Sequence, residues 1–164
     1  MKSELVKLGQ FNENEASIYG IWFEDLQKTS FDIFIKENKN VLLSELNDII
    51  SRLKSISNAT GAREQFFKIN EGIPGDGVCA LYDSPDKKLR LYCIRYGTII
   101  VIVGGGGPKN VQTLQQNKKL KDENYFLRDL SAQITERLKE GEIWFTNDNK
   151  DFEGNLEFND EDYE

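Results

Sequence analysis

Two neighbouring segments carry the clearest strand pattern in the chain. Along residues 89–94, Leu and Cys at the odd positions alternate with Arg, Tyr and Ile at the even ones, the two-residue period of a strand with unlike faces. Residues 96–98 can turn the chain, and residues 99–103 form an unbroken apolar run typical of a strand covered on both faces. The pattern predicts adjacent strands that carry Arg90 on a sheet face and Lys109 at the end of the second strand.

Three segments show the three- and four-residue spacing of amphipathic helices. The clearest covers residues 42–56, and another covers residues 124–139, with Gly141 where a glycine commonly follows a helix end. A shorter helix is predicted around residues 31–35, behind Thr and Ser at residues 29–30, which can cap its first turn.

Shorter patterns complete the expected architecture. Further strands are predicted at residues 16–23, 78–82 and 143–146, with turns at residues 71–77 and 84–87. This order predicts an α+β fold, an antiparallel sheet with helices packed on one face. We expect residues 1–146 to form a single domain, followed by an acidic C-terminal tail at residues 147–164.

The net charge of −7 lies in that tail. Residues 147–164 hold eight acidic side chains and one basic one, whereas the first 146 residues hold 20 of each. A neutral body can carry a local basic patch, but the balance does not resemble a dedicated DNA-binding domain. Phe152, Leu156 and Phe158 are the positions through which the tail can dock.

The chain has no histidine and two cysteines. His-based catalysis is therefore excluded and a structural zinc site nearly so, which leaves Lys, Arg, Tyr and carboxylates for any chemistry. Cys79 and Cys93 fall in predicted strands, and we expect buried free thiols. The longest apolar run is too short to span a bilayer, and the charged N-terminus does not fit a signal peptide. We expect a soluble cytoplasmic protein without a membrane segment.

The run GGGGPK at residues 104–109 invites comparison with a phosphate-binding loop. The Walker pattern needs glycine directly before its lysine and Ser or Thr after it. Here Pro108 precedes Lys109 and removes a backbone N–H, and Asn110 follows. We therefore expect the glycines to permit a strand-end bulge or the close approach of another backbone segment.

Residues 42–146 resemble the RelE/HigB superfamily of bacterial toxins, including its phage-derived HigB-like branch. The resemblance lies in the order and spacing of a helix, FFK (66–68), EGIPGDG (71–77), LRLY (89–92), IIVIV (99–103), GGGGPK (104–109) and a final helix. Residues 1–41, an N-terminal strand and helix extension, and the acidic tail lie outside the resemblance.

The resemblance implies a cytoplasmic toxin that cuts mRNA on the ribosome and is neutralised by an antitoxin protein. It implies neither metal nor cofactor. The chemistry is attack of a ribose 2′-hydroxyl on the adjacent phosphate, which needs cations around the developing charge and a proton acceptor. Arg90 matches the family's strand arginine, and Lys68 and Lys109 match its other basic positions. These three are the candidate catalytic residues, expected to form one cationic floor.

The C-terminal region departs from the family pattern. The family usually has a basic or aromatic catalytic residue there, whereas IWFTNDNKDF at residues 143–152 offers Trp144, Phe145 and Lys150 among acids. An acidic tail near an RNA-binding face would also repel phosphate. A second hypothesis therefore stays open, in which the same fold is catalytically silent and acts as a protein-interaction module.

Overall fold

The computed structural model describes residues 2–11, 14–82, 86–109 and 114–159, with no side chains described at 114–117. Within these residues the chain is a mixed α+β protein, and none of its helices combines the length and apolar character that a bilayer crossing requires. Its elements are β1 (Ser3–Lys7), β2 (Ser17–Phe23), β3 (Lys28–Thr29), α1 (Ser30–Asn38), α2 (Leu43–Ser55), β4 (Phe67–Lys68), β5 (Val78–Leu81), β6 (Leu89–Tyr96), β7 (Ile100–Pro108), α3 (Leu114–Glu140), β8 (Ile143–Phe145), β9 (Phe152–Gly154) and β10 (Glu157–Phe158).

The main sheet has the strand order β10-β1-β2-β7-β6-β5-β4, and β3 pairs with β2 beside this path. Its pairs are antiparallel except β2 and β7, which run parallel with Ser17 opposite Ile100. Strands β8 and β9 form a separate antiparallel hairpin. The sheet is therefore mostly antiparallel, as the sequence predicts.

Helices cover both faces of the sheet, so the prediction of helices on one face is wrong. Helices α1 and α2 pack against one face, which includes Leu91 and Val101. Helix α3 packs against the other face, which includes Tyr92 and Ile102. The physical reason lies in β6 and β7, whose central residues are apolar on both faces and would otherwise expose one face to water.

Both helix boundaries that rest on capping residues are as predicted. Thr29 caps α1: its hydroxyl accepts from the Asp32 N–H (3.1 Å), and the Asp32 carboxylate accepts from the Thr29 N–H (3.3 Å). Gly141 follows α3 with φ of 76°, and the Glu142 N–H donates to the Arg137 carbonyl (2.9 Å), as in a glycine-terminated helix. The start of α3 differs, because the helix begins at Leu114, before the predicted residue 124.

The two chain ends add strands that the sequence analysis did not predict. Strand β1 pairs with β10, with Ser3 opposite Phe158. Phe152 and Phe158 are buried in the core on the α3 face, so the described part of the acidic segment belongs to the folded domain. Residues 160–164 and the first half of the turn predicted at 84–87, residues 84 and 85, lie outside the described residues.

Cys79 and Cys93 lie opposite each other on β5 and β6, and both are free and buried, as expected. Burial raises the pKa of the Cys79 thiol to about 12 and holds the pKa of Cys93 well above its ordinary value. Because the thiolate is the reactive form, both side chains act as inert core residues.

Candidate functional site

Arg90 lies on β6, on the face that α3 covers. Tyr92 and Ile94 share this face, as the alternation predicts. The Arg90 guanidinium donates a hydrogen bond to the Tyr92 hydroxyl (3.3 Å). The strand therefore sets the direction of the Arg90 side chain, and the Tyr92 phenol, two residues along the strand, helps to hold the guanidinium group.

Lys68 and Arg90 approach the same carboxylate oxygen. Lys68 Nζ lies 3.3 Å from Glu71 Oε1, and Arg90 Nη2 lies 4.0 Å from that atom. The strand register explains the convergence, since Lys68 pairs with Ala80, which in turn pairs with Tyr92. Two of the three candidate residues therefore meet around Glu71, a residue that the sequence analysis did not single out.

Helix α3 anchors the Gly-rich loop of residues 71–77. Asn124 Nδ2 (2.8 Å) and Arg128 Nη2 (3.1 Å) both donate to the Glu71 carbonyl, and Ser131 Oγ donates to the Asp76 carbonyl (2.6 Å). Asn124 and Ser131 are buried. The position of the Glu71 carboxylate is therefore set by a long helix rather than by its own loop alone.

Three buried polar atoms around Glu71 have no hydrogen-bond partner among the described residues. They are Glu71 Oε1, Asn124 Oδ1 and Arg128 Nε. The contact from Lys68 to Glu71 at 3.3 Å is an ion pair without hydrogen-bond geometry. Each of these atoms retains a donor or acceptor capacity that water or a further polar partner can use.

We name these five residues the Glu71 cluster: Lys68, Glu71, Arg90, Asn124 and Arg128. Lys68 and Arg90 approach the Glu71 carboxylate, and Asn124 and Arg128 hold the Glu71 backbone carbonyl. The side chains of Arg90 and Glu71 are 18% and 17% exposed, whereas that of Lys68 is 51% exposed. Lys68 therefore presents most of the positive charge to solvent.

Lys109 directly follows the end of β7. Its backbone N–H donates to the Lys88 carbonyl (2.7 Å), and it lies two residues beyond Gly107, which is opposite Arg90. Lys109 is half-buried. The register thus places Lys109 two residues beyond the position opposite Arg90. Lys68 and Arg90, in contrast, both approach the Glu71 carboxylate.

The glycine run is part of β7 and serves packing. A Cβ atom on Gly104 would lie 2.7 Å from the side chain of Leu127 on α3, and one on Gly106 would lie 1.8 Å from the Arg90 carbonyl oxygen. The pairing shifts between Leu91 and Cys93, which marks a bulge. The expected close backbone approach is present, whereas the bulge lies inside β7, which continues to Pro108, and not at the end of the strand.

Within the described ranges, no group of three or more His, Cys, Asp or Glu side chains is placed to hold a metal ion. The Glu71 cluster instead offers a carboxylate able to accept a proton and cations able to stabilise negative charge. The sequence signal for Glu71 is weak: an acid three residues after Lys68, at the start of a Gly-rich turn. Comparisons with protein-family models, with curated proteins and with solved structures found no match to this chain.

Proposed function

We propose that the chain is a RelE/HigB-like toxin, a ribosome-dependent mRNA endoribonuclease that needs no metal and is neutralised by a cognate antitoxin. The observation that carries the proposal is the Glu71 carboxylate, approached by both Lys68 and Arg90. Cations beside a proton acceptor are the groups that cleavage of RNA by its own 2′-hydroxyl requires. The resemblance of residues 42–146 to the RelE/HigB superfamily supports the same reaction.

The proposed chemistry assigns a role to each residue of the site. Glu71 accepts the proton of the ribose 2′-hydroxyl, whose oxygen attacks the adjacent phosphorus. Lys68 and Arg90 stabilise the negative charge that develops on the phosphoryl oxygens. The bond to the 5′-oxygen breaks, and that oxygen takes a proton from solvent, which leaves a 2′,3′-cyclic phosphate and a 5′-hydroxyl. Lys109 contacts a neighbouring phosphate of the RNA.

Glu71 supplies a proton acceptor beside Lys68 and Arg90, whereas the carboxylates of residues 143–152 have other partners: Asp148 accepts from the Thr146 hydroxyl (2.6 Å) and Asp151 pairs with Lys7 (2.9 Å). Trp144 and Phe145 of that segment lie in strand β8 of the separate hairpin. Lys150 donates to the Asn14 carbonyl (2.9 Å). In this proposal the reaction therefore depends on the loop after β4 and not on the C-terminal segment.

A catalytically silent interaction module is the second candidate. It is favoured by the low exposure of Arg90 and Glu71, 18% and 17%, and by the anchoring of the Glu71 carbonyl to α3. Anchoring the loop at residues 71–77 is a sufficient role for an ion pair of this kind, without any catalysis. In that case the partner-binding surface is the short edge strand β4 or a groove between helices.

Induced expression in a bacterium tests the endoribonuclease. We expect the intact protein to arrest growth and to leave mRNA fragments with 5′-hydroxyl ends, and Arg90→Ala and Lys68→Gln to relieve both effects. Lys118→Gln is the matched control, because the Lys118 side chain is 73% exposed and pairs with Asp122 on its own helix. Soluble intact protein that neither arrests growth nor cleaves ribosome-bound mRNA would overturn the proposal in favour of the silent module.

A further inference from the structure

A second site opens at the edge strand β4. Among the described residues, a cavity of about 320 Å³ is lined there by three aromatic residues, three basic ones, a glutamine and an aspartate. We call it the edge cavity; its relevant side chains are Asp48, Arg52, Phe66, Lys68, Tyr82 and Lys87. Lys68 is a lining residue of this cavity and a member of the Glu71 cluster, where its ammonium group lies, so the two sites are adjacent along β4.

Two of the aromatic side chains of the edge cavity form a stack. The rings of Phe66 and Tyr82 lie 5.3 Å apart between centroids at an interplanar angle of 17°. The Arg52 guanidinium carbon lies 4.5 Å from the centroid of the Tyr82 ring. Both aromatic residues are only half-buried, so the stack leaves aromatic surface open to the cavity. Such a surface suits a further planar group.

The backbone at Tyr82 is strained. Its φ is +47°, a conformation rarely adopted by a bulky side chain. The Tyr82 N–H donates to the Phe66 carbonyl (2.7 Å), so the strained residue is fastened to its stacking partner. Backbone strain of this kind persists where the surroundings impose it, and it is concentrated at ligand sites. The strain is an observation independent of the aromatic stack.

The described residues of the edge cavity carry a net positive charge. Asp48 lies 3.6 Å from Arg52 Nε and 3.3 Å from Lys87 Nζ, and among the described lining residues it is the one carboxylate. The other charged residues among the described lining are three basic ones, Arg52, Lys68 and Lys87. An aromatic surface beside excess positive charge is the combination that binds a nucleobase together with its phosphate.

We propose that the edge cavity binds a nucleotide of single-stranded RNA next to the one whose phosphate is cleaved, with the base stacked on Phe66 and its own phosphate on Lys87. The choice of RNA rests on the proposed endoribonuclease function. Lys68 lies at the boundary of the two sites, because it lines the cavity while its ammonium group faces the Glu71 carboxylate. A duplex would keep its bases stacked on one another, so the site selects unpaired RNA.

Equilibrium binding tests the subsite separately from cleavage. The probe is a short fluorescein-labelled single-stranded RNA with 2′-O-methyl riboses, which lack the attacking hydroxyl, and binding is measured by fluorescence anisotropy. We expect Phe66→Leu to weaken binding by about ten- to a hundredfold, as loss of one stacked base does. Trp144→Leu is the control, since Trp144 is an exposed aromatic residue on β8.

A tryptophan variant distinguishes the loss of ring stacking from misfolding as the cause of weaker binding. Phe66→Trp keeps a ring at the stacking position, so we expect it to bind the probe at least as tightly as the parent protein, with quenching of its fluorescence. Thermal unfolding of both variants shows whether each is folded. Equal affinity of the parent protein and folded Phe66→Leu would overturn the subsite, and so would a folded parent protein that binds no RNA.

A parallel assay with unmodified mRNA on ribosomes separates this inference from the endoribonuclease proposal. Phe66-dependent binding without any cleavage keeps the subsite and overturns the chemistry at Glu71. Cleavage combined with unchanged binding by Phe66→Leu keeps the chemistry and overturns the subsite.

Discussion

The hydroxyl of Ser30 donates a hydrogen bond to the carbonyl of Val103 (2.8 Å) and joins two parallel strands where they diverge. The same oxygen accepts from the Ile21 N–H (3.1 Å). Residues 17–19 of β2 pair directly with residues 100–102 of β7, and beyond them the Ser30 side chain substitutes for the backbone ladder. The first residue of α1 therefore completes the sheet next to the glycine run.

Ser30→Ala should destabilise the protein. The substitution leaves a buried N–H and a buried carbonyl without their partner, and each such group costs about 1–3 kcal/mol. We expect the free energy of unfolding, measured by urea denaturation, to fall by about 2–4 kcal/mol. The control is Ser44→Ala on the exposed face of α2, which should change it by less than about 0.5 kcal/mol. Equal stability of the two variants would show that the Ser30 bridge is dispensable.

Two adjacent glycines of β7 should respond differently to alanine. A Cβ on Gly106 would lie 1.8 Å from the Arg90 carbonyl oxygen, so β6 and β7 would have to separate. We expect Gly106→Ala to lower the free energy of unfolding by at least about 2–3 kcal/mol or to abolish soluble expression. At Gly107 the nearest side-chain atom would lie 3.8 Å away, an ordinary contact, and Gly107→Ala should be nearly neutral. Similar losses at both positions would contradict the packing role of Gly106.

The sequence located β6, β7, α1 and α2 because their signals are local. Alternation within residues 89–94 determines which side chains share a face, and Thr29 with Asp32 determines where α1 begins. The pairing of β1 with β10 has no such signal, because it joins residues at opposite ends of the chain. The apolar residues on both faces of β6 and β7 require cover on both sides, so the one-face prediction is wrong, but which helix covers which face depends on contacts between distant segments.

The residues of the candidate site also differ in whether the local sequence predicts their positions. The direction of Arg90 follows from the strand period, so its face could be predicted. The place of Glu71 could not, because Asn124 and Arg128 hold its carbonyl from 53 and 57 residues away. A single acid at the start of a Gly-rich turn carries no pattern that distinguishes an anchored carboxylate from a solvated one.

Alkaline pH should destabilise the fold through its buried thiols and a buried phenol. Burial raises the pKa of Cys79 from 9.0 to about 12, so the folded state keeps a proton that the unfolded state releases. Its contribution to stability is complete below pH 9.0 and is lost as the pH rises toward about 12. The slope for one group reaches about 1.4 kcal/mol per pH unit. Burial raises the pKa values of Cys93 and Tyr96 in the same direction.

Urea denaturation from pH 8 to pH 11 measures this dependence. We expect Cys79→Ala to be less stable than the parent protein at pH 8, through the cavity it leaves, yet to lose stability less steeply above about pH 9. Identical slopes for the two proteins would show that the Cys79 thiol does not titrate differently in the folded and unfolded states.

Lys68 and Arg90 should differ in their effect on stability although both approach Glu71. Arg90 is 18% exposed and also donates to Tyr92, so Arg90→Met leaves buried groups without a partner and should cost about 1–3 kcal/mol. Lys68 is 51% exposed, and Lys68→Met should cost less than about 1 kcal/mol. Urea denaturation compares them, and a larger loss at Lys68 would contradict this assignment. Lys68 is therefore the position where activity can be tested with the least disturbance of the fold.

The acidic C-terminal segment should be necessary for folding. Phe158 is 1% exposed, and the Arg137 guanidinium carbon lies 4.0 Å from the centroid of its ring. Arg137 Nη1 also donates to the carbonyls of Asn155 (2.8 Å) and Glu157 (2.6 Å), so α3 holds the strand that pairs with β1. We expect Phe158→Ala to lower the free energy of unfolding by about 3–5 kcal/mol.

Hydrogen exchange distinguishes loss of this strand from a general loss of packing. In Phe158→Ala the amides of β1 and β10 should exchange faster than those of β6, because β10 covers the outer edge of β1 and β6 lies inside the sheet. The control is Leu26→Ala, whose side chain is 50% exposed and whose loss should leave exchange unchanged. If Phe158→Ala kept the parent stability and exchange pattern, the segment would be an appended tail. Truncating the segment would then remove its negative charge without unfolding the protein. The effect of that charge on RNA binding could then be measured by comparing the truncated and the full-length protein.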